Sequence, residues 1–453
     1  MEKNQKGLLK DSNFTGKLIR LMLPIMLQNL MVASVAAGDA VMLGRLAQDS
    51  MTAVSMATQI QFIQNMFISS IVGATSALGA QYWGKRDEKA INEIFCMALR
   101  IAGIISVAFA TACLIAPEYL MIFFTDSPEL IRIGAGYLRI AGLSYLLTGF
   151  SQCYQTIMKI TDHVISVAAV SSIAVILNIC LNAVFIFGIG PFPSMGANGA
   201  ALATLVARIV EFAICIILSF KKGYIKPKLR GLIKRNKVLA KDFNLIALPL
   251  LGGALLWGVG FTSYTAIIGH MGTDAAAANA IASVVRDLVC CACNGVGSAT
   301  GIIVGNELGA GNLELGKIYG IKLAKISFII GFASMALVLV LTFPIANFMI
   351  LTDKARKYLI GMMVIMAVYM IGRCVNTVII NGIFDGGGDT LFDMYSLAVT
   401  MWCLAIPLAC LGAFVFHWHV FLVYSCTCLD EVGKIPWVLI HFKKYKWVKN
   451  LTR

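Results

Sequence analysis

The sequence predicts an all-α membrane protein whose twelve transmembrane helices form two pseudo-symmetric six-helix bundles. Three observations predict this fold class. Of the 453 residues, 59% are hydrophobic and only 13% are charged, whereas soluble domains are about half apolar and about a quarter charged. Long apolar runs recur along nearly the whole chain, and the first half of the sequence resembles the second at an offset of 225 residues. No segment between the runs is long enough for a separate soluble domain.

Twelve apolar runs are long enough to cross a hydrocarbon core about 30 Å thick, which takes about 20 helical residues. They lie at 18–44, 51–82, 94–116, 130–157, 164–188, 197–220, 243–269, 276–305, 317–344, 358–383, 391–415 and 419–441. The first run is too long for the apolar part of a signal peptide and lacks a small-residue cleavage site. We therefore expect it to stay as a transmembrane helix.

The internal repeat predicts how the chain is organised. Leu23-Pro24 returns as Leu248-Pro249, Gly44 returns as Gly269, and Gly84 returns as Gly309. Each repeat holds six spans, so both start on the same side and are expected to be related by an axis along the membrane normal. This predicts an N-terminal lobe at 1–220, a basic cytoplasmic linker at 221–242 and a C-terminal lobe at 243–453. Parallel repeats around a central cavity are typical of alternating-access transporters.

The charge distribution explains the formal net charge of +14 without a nucleic-acid partner. With the N-terminus in the cytoplasm, most of the 37 Lys and Arg residues fall in cytoplasmic loops, as the positive-inside rule predicts. We therefore expect a multi-pass protein of the plasma (inner) membrane with both termini in the cytoplasm. The thirteen cysteines lie almost entirely inside apolar runs, without the spacing of a disulfide framework or a zinc site. We expect no metal and no cofactor.

Asp39, in the stretch AAGDAVMLGRL at 36–46, is the only acid of the first apolar run. A charge facing lipid costs roughly 2.5 to 3.5 kcal/mol or more, so the carboxyl group is expected to face the protein interior or a water-filled cavity. There it could load and release a proton. At the offset of 225 it pairs with Tyr264, so we expect a lone acid in one lobe. A structural carboxylate paired with a neighbouring donor is the alternative.

Polar side chains of neighbouring spans could surround Asp39. They are Gln28 on the same stripe of the first span, Gln61, Gln64 and Asn65 on the second, Asn178 and Asn182 on the fifth, and Thr204 on the sixth. Buried amides at helical spacing are often only interhelical hydrogen-bond partners. Their convergence in one half of the chain, together with the acid, favours a site.

The second half offers charged and polar candidates for the cavity. Arg286 and Asp287 lie in the eighth span, and Arg373 and Asn376 lie in the tenth. Because adjacent residues do not share a helix face, we expect Arg286 and Asp287 each to find a partner on another helix. Structural tethering and a role in the cavity both remain open for this pair. Flexible methionines, 21 in all, suit a promiscuous apolar pocket.

The order of several motifs resembles the multidrug and toxic compound extrusion (MATE) family. The motifs are LPIMLQNL (23–30), GDAVMLGRL (38–46), GAQYWGKRD (79–87), LNICLNAVFIFG (177–188), GANGAALAT (196–204), GNELGAGN (305–312) and DGGGDT (385–390). The resemblance covers almost the whole chain. It implies a V-shaped antiporter that exports organic cations or amphipathic compounds against inward proton or sodium flow. It also implies a small-molecule substrate, contact with membrane lipid and a monomeric state.

Carried over residue by residue, the resemblance assigns cation handling to a few positions. Asp39 matches the aspartate of the family's first helix, and Asn178 and Thr204 match positions implicated in cation handling. Asn182 stands where many relatives have Asp, and Trp257 stands where the sodium-coupled branch has a glutamate. The resemblance therefore favours H+ over Na+ as the coupling ion and a DinF-like or archaeal-type arrangement. Trp257 is also a candidate for the substrate cavity, and so is Tyr264, which pairs with Asp39 in the internal repeat.

Two rival functions stay open at this point. The GGGDT segment contains the GxGD pattern of intramembrane aspartyl proteases, with Asp389 as the candidate catalytic residue, but the YD dipeptide of such enzymes is missing. A glycine turn in which Asp389 caps the next helix explains the same residues. A lipid-linked saccharide flippase of the same wider superfamily is the nearer rival, and it would be expected to have a more cationic cavity.

Overall fold

The computed structural model describes residues 12–46, 48–189, 193–228, 231–232, 236–349 and 351–452. Within α1 and at the start of α2, the side chains of 12–13, 36–41, 44–46 and 48 lie outside the described part. Nearly all described residues are helical, and none of them is in a β-strand. The all-α membrane fold predicted from the sequence is confirmed.

In the described part of the first half, the chain forms seven helices. They are α1 Ser12–Leu46, α2 Gln48–Gly84, α3 Glu88–Ile115, the short α4 Pro117–Ile122, α5 Pro128–Ile160, α6 Val164–Phe187 and α7 Gly196–Ser219. Local sequence sets several of these ends. The Asp87 side chain accepts a hydrogen bond from the Ala90 N–H at the start of α3, as an N-cap residue does. Gly188, in the left-handed region at φ 73°, ends α6, where a residue without a β-carbon is favoured.

The second half repeats this pattern with more irregular helices. They are α8 Lys237–His270, α9 Thr273–Gly309, α10 Leu313–Phe348, α11 Asp353–Asn376, α12 Thr390–Leu397, α13 Ile406–Cys410, α14 Val420–Thr427, α15 Leu429–Val432 and α16 Ile435–Lys443. A π-helical stretch, Thr377–Phe384, prolongs α11, and two more, Ala398–Ala405 and Leu411–Val415, flank α13. The chain is therefore continuously helical from the start of α12 at Thr390 to the end of the last π-helical stretch at Val415.

Eleven helices of the described residues are long and apolar enough to cross a membrane. The predicted twelfth run, 419–441, differs because it is divided into the three short helices α14, α15 and α16. Its middle holds charged side chains that turn inward, and Gly433 and Pro436 follow them. Proline removes a backbone donor and glycine disfavours helix, so this run cannot continue as one regular helix.

The chain falls into two compact units, and their boundary lies inside helices. One unit holds α1 up to Met26, the segment Ala80–Arg86 and the chain from Leu245 onward; the other holds Leu27–Gly79 and Asp87–Asn244. The unit with α3 to α7 has a core around Leu138 and Tyr145. The unit with α9 to α14 has a methionine-rich core that includes Met362, Met363, Met366 and Met370. The predicted lobe boundaries at 220 and 243 stay a prediction.

The ends of α2 and α9, which are equivalent helices of the two repeats, pack together through glycine. A β-carbon on Gly84 would overlap the carbonyl oxygen of Asn306, and one on Gly309 would overlap that of Gln81. At the offset of 225, Gln81 pairs with Asn306 and Gly84 with Gly309. The contact is therefore reciprocal, and each helix approaches the backbone of the other as closely as only glycine permits.

Candidate functional site

Asp39 lies within α1, but its side chain belongs to the part of the helix whose side chains are not described. The structure therefore leaves the predicted proton-carrying role of Asp39 as a prediction. What it describes are the polar residues that the sequence placed around this position.

Three of those predicted residues form one hydrogen-bonded chain. The Asn182 amide donates to Asn178 Oδ1 at 3.1 Å, and the Asn178 amide donates to Thr204 Oγ1 at 3.2 Å. Asn178 and Asn182 are one helical turn apart on α6, and their exposed fractions are only 4% and 1%. The chain joins α6 to α7 through neutral dipoles. Such groups can orient around a proton or a small cation without opposing its charge.

Gln28 is the centre of a second polar network. Its amide donates to Gln155 Oε1 at 2.9 Å and to Ser171 Oγ at 3.0 Å. Gln155 in turn donates to Glu211 Oε1 at 2.8 Å, and Arg208 binds Glu211 Oε2 at 2.6 Å. The network links α1 to α5, α6 and α7 and ends on a buried ion pair.

The amides on α2 have separate surroundings. The Gln64 amide donates to Ser106 Oγ at 3.2 Å and to the Tyr145 carbonyl at 2.9 Å, so Gln64 ties α2 to α3 and α5. Asn65 Oδ1 is buried without a hydrogen-bond partner, and Gln61 is partly exposed. Gln64 therefore has the interhelical role that was the alternative for buried amides.

The C-terminal bundle contains a cavity that three of the predicted residues line. The cavity is partly open and polar, with about 500 Å³ of empty space when the solvent at its mouth is included. Trp257, Tyr264 and Arg286 line it, with Phe261, Thr265, Ile268, Asn279, Ser283, Tyr369, Tyr424, Thr427, Cys428 and Asp430. Asp287 and Asn376 were predicted at the cavity, but they are not among its lining residues.

Arg286 and Asp287 bind each other, so the expectation that each has its partner on another helix is wrong. Arg286 Nε and Nη2 donate to Asp287 Oδ1 at 3.0 and 2.8 Å. The long arginine side chain reaches around α9, and its guanidinium lies over the Phe261 ring at 4.3 Å from the centroid. The Asp287 side chain is 65% exposed, whereas that of Arg286 is 14% exposed. Only the arginine thus faces the cavity.

Arg373 and Asn376 converge on a residue that the sequence analysis did not single out. Arg373 Nη1 binds Glu431 Oε1 at 2.8 Å, and the Asn376 amide donates to Glu431 Oε2 at 2.7 Å and to its carbonyl at 2.8 Å. Lys434 Nζ lies 3.9 Å from Glu431 Oε2. The cluster fixes α15 against α11.

Buried acids occur in both halves, although none of those described stands at the position equivalent to Asp39, where the second repeat has Tyr264. The exposed fractions of Glu211, Asp430 and Glu431 are 3%, 5% and 4%. The sequence held a signal for each, because an acid inside an apolar run is costly unless it is paired or functional. Glu211 stands in IVEFAI within the sixth predicted span, and the other two stand in CLDEVGK within the twelfth.

Asp389 lies directly before α12, but its side chain caps no backbone N–H. It binds His441 Nε2 at 2.7 Å instead, and the His441 ring stacks on Phe392 at 3.9 Å. Asp389 is therefore at the predicted N-cap position, but its side chain does not make the predicted capping hydrogen bond.

Asp385 lies close by, and its pKa is raised above its usual range by burial and then by the carboxylates of Asp393 and Asp389.

The fold and these sites define a polytopic helical membrane protein with buried polar groups inside each repeat, which is the composition of a transporter. The MatE family model matches residues 24–184 and 249–411, one segment in each repeat. The chain belongs to the MatE family. Its relatives are transporters and not enzymes, so the protease hypothesis built on Asp389 is wrong.

Individual relatives agree with this assignment. The chain is 24% identical to an uncharacterized transporter, YisQ, of Bacillus subtilis, over 89% of this chain and 88% of that protein. It is 24% identical to a probable multidrug resistance protein, NorM, of Bradyrhizobium diazoefficiens, over 87% and 86% of the two chains.

Solved structures share the fold. A variant of the Vibrio cholerae MATE transporter VcmN superposes with a TM-score of 0.87 at 16% identity, covering 96% of this chain and 97% of that one. A transporter of the MOP superfamily from Pyrococcus furiosus superposes with a TM-score of 0.86 at 18% identity, covering 95% and 96%.

Proposed function

We propose that this protein is a proton-coupled antiporter of the plasma membrane that exports organic cations or amphipathic compounds by alternating access. The observation that carries the proposal is Asp39, a carboxylate inside the first apolar run, in the same repeat as the buried chain Asn182, Asn178 and Thr204. The resistance activity in the names of relatives such as NorM supports export as the direction.

In the proposed cycle, ionised Asp39 takes a proton from outside. Loss of the charge weakens substrate binding, the substrate leaves, and the protonated carrier reorients and releases the proton inside. Each proton that moves down the membrane potential contributes about 2.3 kcal/mol per 100 mV. We further propose that both termini are cytoplasmic and that the carrier is a monomer, because the basic loops follow the positive-inside rule and each chain holds both repeats.

Proton rather than sodium coupling is supported by the residues available. Asn182 and Trp257 stand at two positions where the resemblance places acids in other members of the family. A site with few carboxylates is better suited to one proton than to a sodium ion, which needs several oxygen ligands. The flippase alternative gains no support from the cavity, since its single arginine, Arg286, is bound to Asp287 and Asp430 shares the same wall.

The test is transport of a panel of cationic dyes by purified protein in proteoliposomes. An imposed pH gradient should drive dye movement in the natural protein, and a sodium gradient of equal size should not. Asp39→Asn should abolish the pH-driven component. Asp49→Asn, which removes an exposed acid at the start of α2, is the matched control and should transport normally. Undiminished pH-driven transport by the Asp39 variant would remove Asp39 from the coupling role.

A further inference from the structure

The cavity of the C-terminal bundle holds two buried polar atoms that have no hydrogen-bond partner. They are the hydroxyl oxygen of Tyr264 and Oδ1 of Asp430, and both residues line the cavity. Tyr264 is 9% exposed and Asp430 is 5% exposed. A buried polar atom without a partner is costly, so this site favours a ligand or a proton that would satisfy the two atoms.

The charges around Asp430 are divided unevenly. Its neighbour Glu431 takes both basic groups of the cluster, Arg373 at 2.8 Å and Lys434 at 3.9 Å. Asp430 makes no ion pair with any described residue, and Arg286, the base in the cavity wall, is held by Asp287. An ionised Asp430 would thus be a buried charge with no ion pair of its own among the described residues. Such a charge is unfavourable by several kcal/mol unless it is neutralised.

Two ligands could neutralise Asp430, namely a metal cation or a proton. The Arg286 guanidinium lies in the wall of the same cavity over Phe261 and repels a cation there. A proton needs only one oxygen, and a protonated carboxyl group can donate to the Tyr264 hydroxyl or to water. We propose that Asp430 is a second proton-carrying residue, which binds and releases a proton during the transport cycle with Tyr264 as its hydrogen-bond partner. This inference rests on the proposed proton antiport.

The surroundings of Asp430 are suited to a change of charge. The titratable and charged groups that face it from the elements packed around it are Glu431 and Lys434 next to it in the chain, Tyr424 and Cys428 at the end of α14, Tyr369 and Arg373 of α11, Tyr264 of α8 and Arg286 of α9. The nearest bases, Arg373 and Lys434, are bound to Glu431. The cavity supplies a polar opening through which the proton can exchange.

The first experiment detects the proton directly. Infrared difference spectra of the purified protein in lipid, recorded across a pH titration, resolve the C=O stretch of a protonated carboxylic acid from the carboxylate bands. We expect one titrating band that is absent from Asp430→Asn and shifted in frequency and midpoint in Tyr264→Phe. Asp353→Asn, which removes a 97% exposed carboxylate at the start of α11, should keep the band. Loss of no titrating band in Asp430→Asn, or abolition of the Asp430 band by sodium or potassium ions at constant pH, overturns the proposal.

The second experiment ties the proton to transport. The number of protons taken up for each dye molecule exported is measured in proteoliposomes with a trapped pH indicator, and we expect Asp430→Asn to lower it by one. An unchanged number overturns the carrier role. Tyr264→Phe keeps the carboxyl group and gives the same information if the Asp430 variant does not fold, because its pH profile should move with its infrared midpoint. If the natural protein exported dye without taking up protons while the band still titrated, the proposed antiport would fail and Asp430 would remain a proton site without a transport role.

Discussion

The reciprocal contact between Gly84 and Gly309 predicts a measurable loss of stability on substitution. In Gly309→Ala, the new methyl group overlaps the Gln81 carbonyl oxygen, a backbone atom that cannot rotate away. Overpacking of this kind costs about 1 to 3 kcal/mol, and we take the upper end because the obstacle is backbone. Alanine regains about 1 kcal/mol of helix propensity over glycine. The expected net loss is about 2 kcal/mol, or about a 30-fold change in the folding equilibrium.

The assay is thermal unfolding of the purified protein in detergent, followed by size-exclusion chromatography with fluorescence detection. Gly269→Ala is the matched control, because nothing lies within 4 Å of the added β-carbon in α8, and it should be neutral or stabilising. Gly84→Ala should lose about as much as Gly309→Ala. The double substitution should lose less than the sum, since one separation of the helices relieves both overlaps. The reasoning fails if Gly309→Ala unfolds at or above the temperature of the Gly269 control.

Two further predictions concern buried charges. Arg208→Ala should destabilise the protein by about 3 kcal/mol, because it leaves the nearly inaccessible Glu211 without its base. Glu211→Gln should destabilise it less, since the remaining arginine is 25% exposed and reaches water. Equal melting temperatures of the two variants would contradict this prediction. Because burial raises the pKa of Asp385 in the folded protein, its contribution to stability is complete at low pH and is lost as pH rises through the raised value. The melting temperature of Asp385→Asn, relative to that of the natural protein, should therefore increase as the pH rises. A difference in melting temperature that does not change with pH would refute the assignment.

Much of the fold could be predicted from sequence because the membrane imposes one strong constraint on the backbone. Every backbone group within the hydrocarbon must be bonded inside its own helix, so apolar runs translate directly into spans. The run 419–441 was the exception. Its average hydropathy is that of a span, but Glu431 binds Arg373 and Asn376 of α11 and Asp430 lines the cavity. Hydropathy does not register such contacts.

The sites were less predictable, because a partner on another helix leaves no trace in local spacing. The chain of Asn178, Asn182 and Thr204 was accessible through helical periodicity and family resemblance. The bonds of Gln28 to Gln155 and Ser171 depend on how α1 packs against α5 and α6, and no motif encodes that packing. The glycines at the ends of α2 and α9 were visible as a repeat, but not as a contact.

The symmetric glycine contact has a consequence for the ancestry of the chain. In a homodimer with two-fold symmetry, the same patch of each subunit meets itself across the axis. The contacts of Gly84 with Asn306 and of Gly309 with Gln81 have that form. They differ only in the amide residue, which is Asn in one contact and Gln in the other. In a half-length ancestor that dimerised through this glycine, both subunits would have had the same sequence, so every mutation would have changed both sides of the contact. Once the two copies were joined in one polypeptide, each could diverge alone, and an acid such as Asp39 could be kept on one side only.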